Sequence, residues 1–73
     1  MIDMTYDPEA DAVYIYLSRA KPDHQQEAGP FVYDMDANGR VLGIEILSAS
    51  KVLASGDWRN ARRPGEARVD AAE

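Results

Sequence analysis

The sequence contains no cysteine, which excludes disulfides, thiolate zinc sites and cysteine nucleophiles. It holds a single histidine, a single tryptophan and a single phenylalanine, and no apolar run of membrane-spanning or signal-peptide length. Basic residues are scarce: eight Lys and Arg stand against thirteen Asp and Glu, a net charge of -5. That balance disfavours non-specific attraction to nucleic acid or anionic lipid and makes a small basic protein the easier partner. Met1-Ile2-Asp3-Met4 has no basic n-region, so a cytoplasmic protein with no membrane contact is expected. A chain of 73 residues allows one small domain, and such a domain hides only about 60% of the surface its unfolded chain exposes. With no cross-link to help, stability is expected to come from packing aided by self-association as a homodimer.

What is present divides near Gly56. Residues 1–55 carry four basic and nine acidic residues, whereas residues 56–73 carry four of each, so the whole net charge belongs to the first part. The first part is rich in β-branched and aromatic residues, and the second has only Trp58 and Val69 as sizeable apolar groups. The reading is a domain over residues 1–55 followed by a flexible C-terminal tail over residues 56–73.

Within the domain, Ile2, Met4 and Tyr6 alternate with Asp3 and Thr5, the period of a half-buried strand. Asp7-Pro8 starts a turn, and Ala12 to Arg19 has the content of a second strand with Val13, Ile15 and Leu17 on one face and Tyr14 and Tyr16 on the other. A polar connection follows, then a third strand from about Glu27 to Asp36, the Asn38-Gly39 turn, and a fourth strand from Arg40 to Leu47. A two-residue turn there sets Met35 opposite Leu42, Tyr33 opposite Ile44 and Phe31 opposite Ile46. Ser48 can cap a short amphipathic helix that places Ala49, Val52 and Leu53 on one face and stops at Gly56. The expected fold is α+β, a four-stranded antiparallel β-meander with one short helix packed on one face. A helix that short leaves part of the sheet apolar and uncovered, which marks an interface.

The segments Tyr-Asp-Pro-Glu-Ala-Asp-Ala-Val-Tyr-Ile-Tyr-Leu (residues 6–17) and Tyr-Asp-Met-Asp-Ala-Asn-Gly-Arg-Val-Leu-Gly-Ile-Glu-Ile-Leu-Ser-Ala-Ser-Lys (residues 33–51) resemble the YuzE-like family of small bacterial and archaeal proteins, a domain of unknown function. The likeness spans roughly residues 3–54 and leaves out the tail. It implies a compact sheet with one helix and brings no established activity, cofactor or catalytic residue. Its members are associated with an antitoxin-like role beside small toxins. Ser48 stands where the family commonly has Asp, and either residue can cap the helix.

Two acidic clusters invite a metal. Asp34, Asp36, Asn38, Gly39 and Glu45 match the written pattern of a calcium loop, but the flanking residues are β-forming and a strand cannot wrap Glu45 around an ion. Asp7, Glu9 and Asp11 read more simply as a turn in which Asp7 bonds its own backbone. His24 lies beside Asp23 in a polar connection without a partner, and Ser18, Ser48, Ser50 and Ser55 lack any nucleophile-elbow context. No catalytic residue, metal ligand or cofactor is assigned. The residues expected to bind a partner are Tyr14 and Tyr16 on the sheet, with Trp58, Arg59, Arg62 and Arg63 in the tail. The leading expectation is a non-enzymatic protein-interaction module. A small metal-dependent enzyme on the acidic turns and a weak nucleic-acid binder using the tail arginines are the alternatives.

Overall fold

All but one of the described strands are short segments whose apolar residues recur at every second position, and register then decides which ones meet. The structure, a computed structural model, describes residues 2–66. Strands β1 (Asp3–Asp7) and β2 (Ala12–Tyr16) form a hairpin that sets Met4 against Ile15 and Tyr6 against Val13. Asp7 makes its own turn, its Oδ1 accepting the Glu9 N–H at 3.0 Å. After β3 (His24–Ala28) and β4 (Phe31–Met35), β5 (Val41–Ile46) inserts beside β2, so the spatial order is β1-β2-β5-β4-β3 and every pairing is antiparallel.

Among the described residues the sheet has five strands, not the expected four, and it is not the expected meander, because β2 pairs with β5 and β3 is left at the far edge. His24-Gln25-Gln26-Glu27-Ala28 has no apolar alternation because it is an edge strand exposed at all five positions. Gly29 and Pro30 lie in the turn between β3 and β4 rather than near the start of a long strand. Gly29 has φ 61°, and Ala28 pairs with Phe31 across it, the form of a type II′ hairpin with glycine first.

The β4–β5 register keeps Tyr33 opposite Ile44 and Phe31 opposite Ile46, but Met35 faces Val41, not Leu42. The loop holds three residues. The Asp36 N–H donates to the Arg40 carbonyl at 2.8 Å and Gly39 takes φ 80°. That length would misalign the strands by one residue, and a bulge between Asp34 and Met35 absorbs the difference.

Met4, Tyr6, Val13, Ile15, Ile44, Ile46 and Phe31 share one face of the sheet. Tyr6, Val13 and Ile46 form the buried core with Ala49, and Leu53, Trp58 and Ala61 pack against it. The helix α1 is only Ala49–Val52, and Ser48 does not cap it. Ser48 has φ 53° and makes no capping bond; Asp11, from the β1–β2 turn, takes that role. Its backbone carbonyl accepts the Ala49 N–H at 2.8 Å, its carboxylate accepts the Ser50 N–H at 3.1 Å, and the Ser50 hydroxyl donates to Oδ2 at 2.6 Å.

One helical turn cannot cover a sheet, and the chain beyond Gly56 adds to the cover. A 3-10 turn over Asp57–Asn60 lays Trp58 edge-on against Tyr6, with ring centroids 5.0 Å apart. Arg62 then makes a parallel bridge with Thr5, and the Tyr6 N–H donates to the Arg62 carbonyl at 3.0 Å. This part of the expected tail therefore lies on the domain, while its last residues, 67–73, are outside the described residues.

Candidate protein-interaction face

The period of two that buries Val13 and Ile15 turns Tyr14 and Tyr16 to the opposite face. Register fills out that face: Thr5, Tyr14, Glu45, Val32 and Glu27 form one cross-strand row, and Asp3, Tyr16, Gly43, Asp34 and Gln25 form the next. Neither α1 nor the 3-10 turn covers it, since both pack over the Tyr6 and Val13 side.

Gly43 shapes the centre. A β-carbon there would collide with the Tyr14 ring and hydroxyl, so glycine lets the phenol lie flat across β5 and reach β4. The Tyr14 hydroxyl donates to Asp34 Oδ2, and the Gln25 amide donates to Asp34 Oδ1 at 2.8 Å. Burial pushes the Tyr14 phenol well above its ordinary pKa, and the bond to Asp34 and the nearby negative charge of Asp34 push it further the same way. Tyr16 packs edge-on against Tyr14 at 4.6 Å and carries the Arg19 guanidinium 4.1 Å above its ring. Arg19 and Arg62 both reach Asp3 Oδ2 at 2.6 Å. Among the described residues, no ion pair engages Glu27, Asp34 or Glu45. The centre of this face is therefore aromatic and acidic among the described residues, and the positive charge of Arg19 and Arg62 at its corner is held by Asp3.

The six residues expected to bind a partner do not converge. Tyr14 and Tyr16 are together on the open face, whereas Trp58 is on the opposite side, partly buried against the core cluster. Arg59 stacks on Trp58 at 4.6 Å and Arg63 lies 5.6 Å from the Tyr6 ring centre. Arg62 is spent on Asp3, where the bonds to the carboxylate raise its pKa further. These arginines line a shallow groove with Glu66, which accepts the Arg63 N–H at 2.9 Å.

The acidic candidates are likewise dispersed. Asp36 accepts the Asn38 and Arg40 N–H groups at 2.9 Å each, which holds its carboxyl below the ordinary range. Asp11 is held low by its bonds from Ser50 and Tyr6, and Asp7 serves its own turn. Among the described residues, no three His, Asp or Glu side chains come together as a metal site. No helix of the described residues is long and apolar enough to cross a membrane. Sequence reasoning missed Asp34, Gln25 and Gly43 as parts of the open face. A glycine inside a strand of otherwise large residues was the available signal for the third.

No solved structure matches the chain. It is 39% identical over 52 residues to the uncharacterized protein MJ0789 of Methanocaldococcus jannaschii, an alignment covering 71% of this chain and 45% of that one. The chain thus spans less than half the length of this relative. Residues 3–50 match the model of a protein family of unknown function, DUF2283, from the first residue of β1 into α1. By that match the chain is a member of the DUF2283 family of proteins of unknown function.

Proposed function

We propose that this protein is a non-enzymatic interaction module of the YuzE-like kind whose open sheet face binds a small basic protein. The observation that carries the reading is the cross-strand surface of Tyr14, Tyr16, Asp34, Glu45 and Glu27, which neither helix covers and which has unneutralised carboxylates at its centre. Tyrosines supply broad contact area at low entropic cost, and carboxylates beside them favour Arg and Lys. Arg19 already sits on Tyr16 in the geometry that a partner's guanidinium would adopt on such a surface.

The biological form of this reading is an antitoxin-like partner in a prokaryotic cytoplasm, masking a small basic toxin by covering its working surface. The dispersal of the acidic turns and the use of their carboxylates as backbone caps support a binding role over a metal-dependent enzyme. Calorimetric titration with a small basic ribonuclease-like toxin of the host organism tests the proposal. Binding should weaken as salt rises and drop at least about tenfold in Glu45→Lys or Tyr16→Ala. No heat with that protein, or binding indifferent to both substitutions, refutes it.

A further inference from the structure

The two edges of the sheet are finished differently. At β1 the chain itself lies along the edge: Arg62 bridges Thr5, and the Tyr6 N–H is taken by the Arg62 carbonyl. At β3 no described strand follows, and all five residues from His24 to Ala28 are exposed. The direction of its backbone groups follows from two bonds on β4. The Pro30 carbonyl accepts the Leu47 N–H at 2.9 Å, beside β5, and the Met35 carbonyl accepts the Asp23 N–H at 2.8 Å, on the β3 side. Backbone groups alternate along a strand, so the odd residues of β4 bond β3 and the even ones bond β5. The residues of β3 opposite Phe31, Tyr33 and Met35 are Ala28, Gln26 and His24, and these point inward. Gln25 and Glu27 therefore direct both their N–H and their C=O groups away from the sheet.

We propose that this edge pairs antiparallel with β3 of a second copy, with Gln26 on the two-fold axis. Self-pairing must set outward residues against outward residues, which leaves axes through Gln25, Gln26 or Glu27. An axis through Glu27 faces one carboxylate with its own copy, and an axis through Gln25 sets Asp23 against Glu27. The axis through Gln26 alone avoids like charges: Gln25 of each copy lies opposite Glu27 of the other, an amide beside a carboxylate, and His24 lies opposite Ala28. The two outward pairs exchange four backbone hydrogen bonds and join the copies into one ten-stranded sheet. A two-fold axis perpendicular to the sheet brings the two Tyr14 and Tyr16 surfaces to the same side, so the dimer is bivalent for any partner of the open face. The pairing does not depend on that face having a partner.

The chain has no native cysteine, so a single introduced one reports the register. In Gln26→Cys the two sulfurs meet across the axis at a non-hydrogen-bonded pair, where Cα atoms lie about 4.5 Å apart, within disulfide range. Under mild oxidation the full chain with Gln26→Cys should become a covalent dimer much faster than chains with Gln25→Cys or Glu27→Cys, whose sulfurs do not oppose their own copies. Sedimentation of the uncut chain from micromolar to millimolar concentration should show a reversible dimer. Gln25→Lys should tighten it and Gln25→Glu loosen it, each by roughly 2- to 30-fold from two symmetric pairs. A monomer throughout that range overturns the proposal. So does equal or reversed cross-linking, or a dimer indifferent to residue 25, which would place the contact elsewhere, as at exposed Ile2, Leu17 and Val41. Calorimetry with the basic partner reads the open face separately, so either idea can fail alone.

Discussion

Strand β2 carries two surfaces of similar residue type with different fates. Val13 is 1% exposed beneath Ala49 and Trp58, while Tyr14, its immediate neighbour, lies half-buried on a face that neither helix covers. Both are good strand residues, and propensity does not separate them. The difference lies in the next layer. On the inner face an apolar cluster is closed by side chains from the helix and the C-terminal segment. On the open face the tyrosines pack edge-on, and Tyr14 finds a polar partner in Asp34. Substitutions on the first face should therefore read out as stability and those on the second as recognition.

The largest expected effect is on the covered side. Trp58→Ala removes the ring that packs on Tyr6 and should cost about 3 kcal/mol by urea unfolding. A variant as stable as the parent would show that the C-terminal segment does not close the core. Val13→Ala, at the most buried large side chain, should cost about 2 kcal/mol in the same measurement.

Gly43→Ala sharpens the contrast, because its effect on unfolding should be about 1 kcal/mol or less while the Tyr14 ring is lifted off β5 and loses Asp34. Ultraviolet absorbance followed through alkaline pH detects this. In the parent, the raised phenol pKa means that the stabilisation by Tyr14 is full below its ordinary value of 10.0 and is lost as pH rises through the folded value. The variant should ionise one tyrosine earlier than the parent, and unchanged titration would contradict the placement of Tyr14 over Gly43.

The smallest effect is at acid pH. Asp11 has a depressed pKa because Ser50, and then Tyr6, donate to its carboxylate. Its stabilisation is present above the ordinary value of 3.8 and fades as pH falls through the lower folded value. Thermal melts of Asp11→Asn should show a shallower acid decline than the parent. Asp36, whose carboxyl is also held low, should leave part of the decline in place.

Much of the sheet was legible because apolar alternation and turn chemistry agree. Ile2 to Tyr6, Val13 to Leu17 and Phe31 to Met35 show their period directly, and the pairings of Tyr33 with Ile44 and Phe31 with Ile46 follow from them. The fifth strand was not legible. His24 to Ala28 buries nothing, so its strand state rests on ladder bonds to β4 and on the Gly29-Pro30 turn. Ser48 is a good capping residue by type, yet its backbone enters α1 at φ 53° and Asp11 caps from 39 residues away from Ser50 in sequence. Of the candidate site, Tyr14 and Tyr16 were visible as the second face of an apolar strand. Their acidic neighbours were not, because Asp34 and Glu45 read most simply as solvated positions beside a turn.

The sequence by itself determined the strand faces, the acidic character of the domain and the positions of the principal turns, since each depends on residues within one or two places of one another. Tertiary structure alone decided that Trp58 packs against the core, that Arg62 bridges one edge of the sheet, and that Tyr14, Asp34 and Gln25 meet across Gly43. Those contacts join residues far apart in the chain, and local periodicity carries no information about which distant surface a side chain will reach.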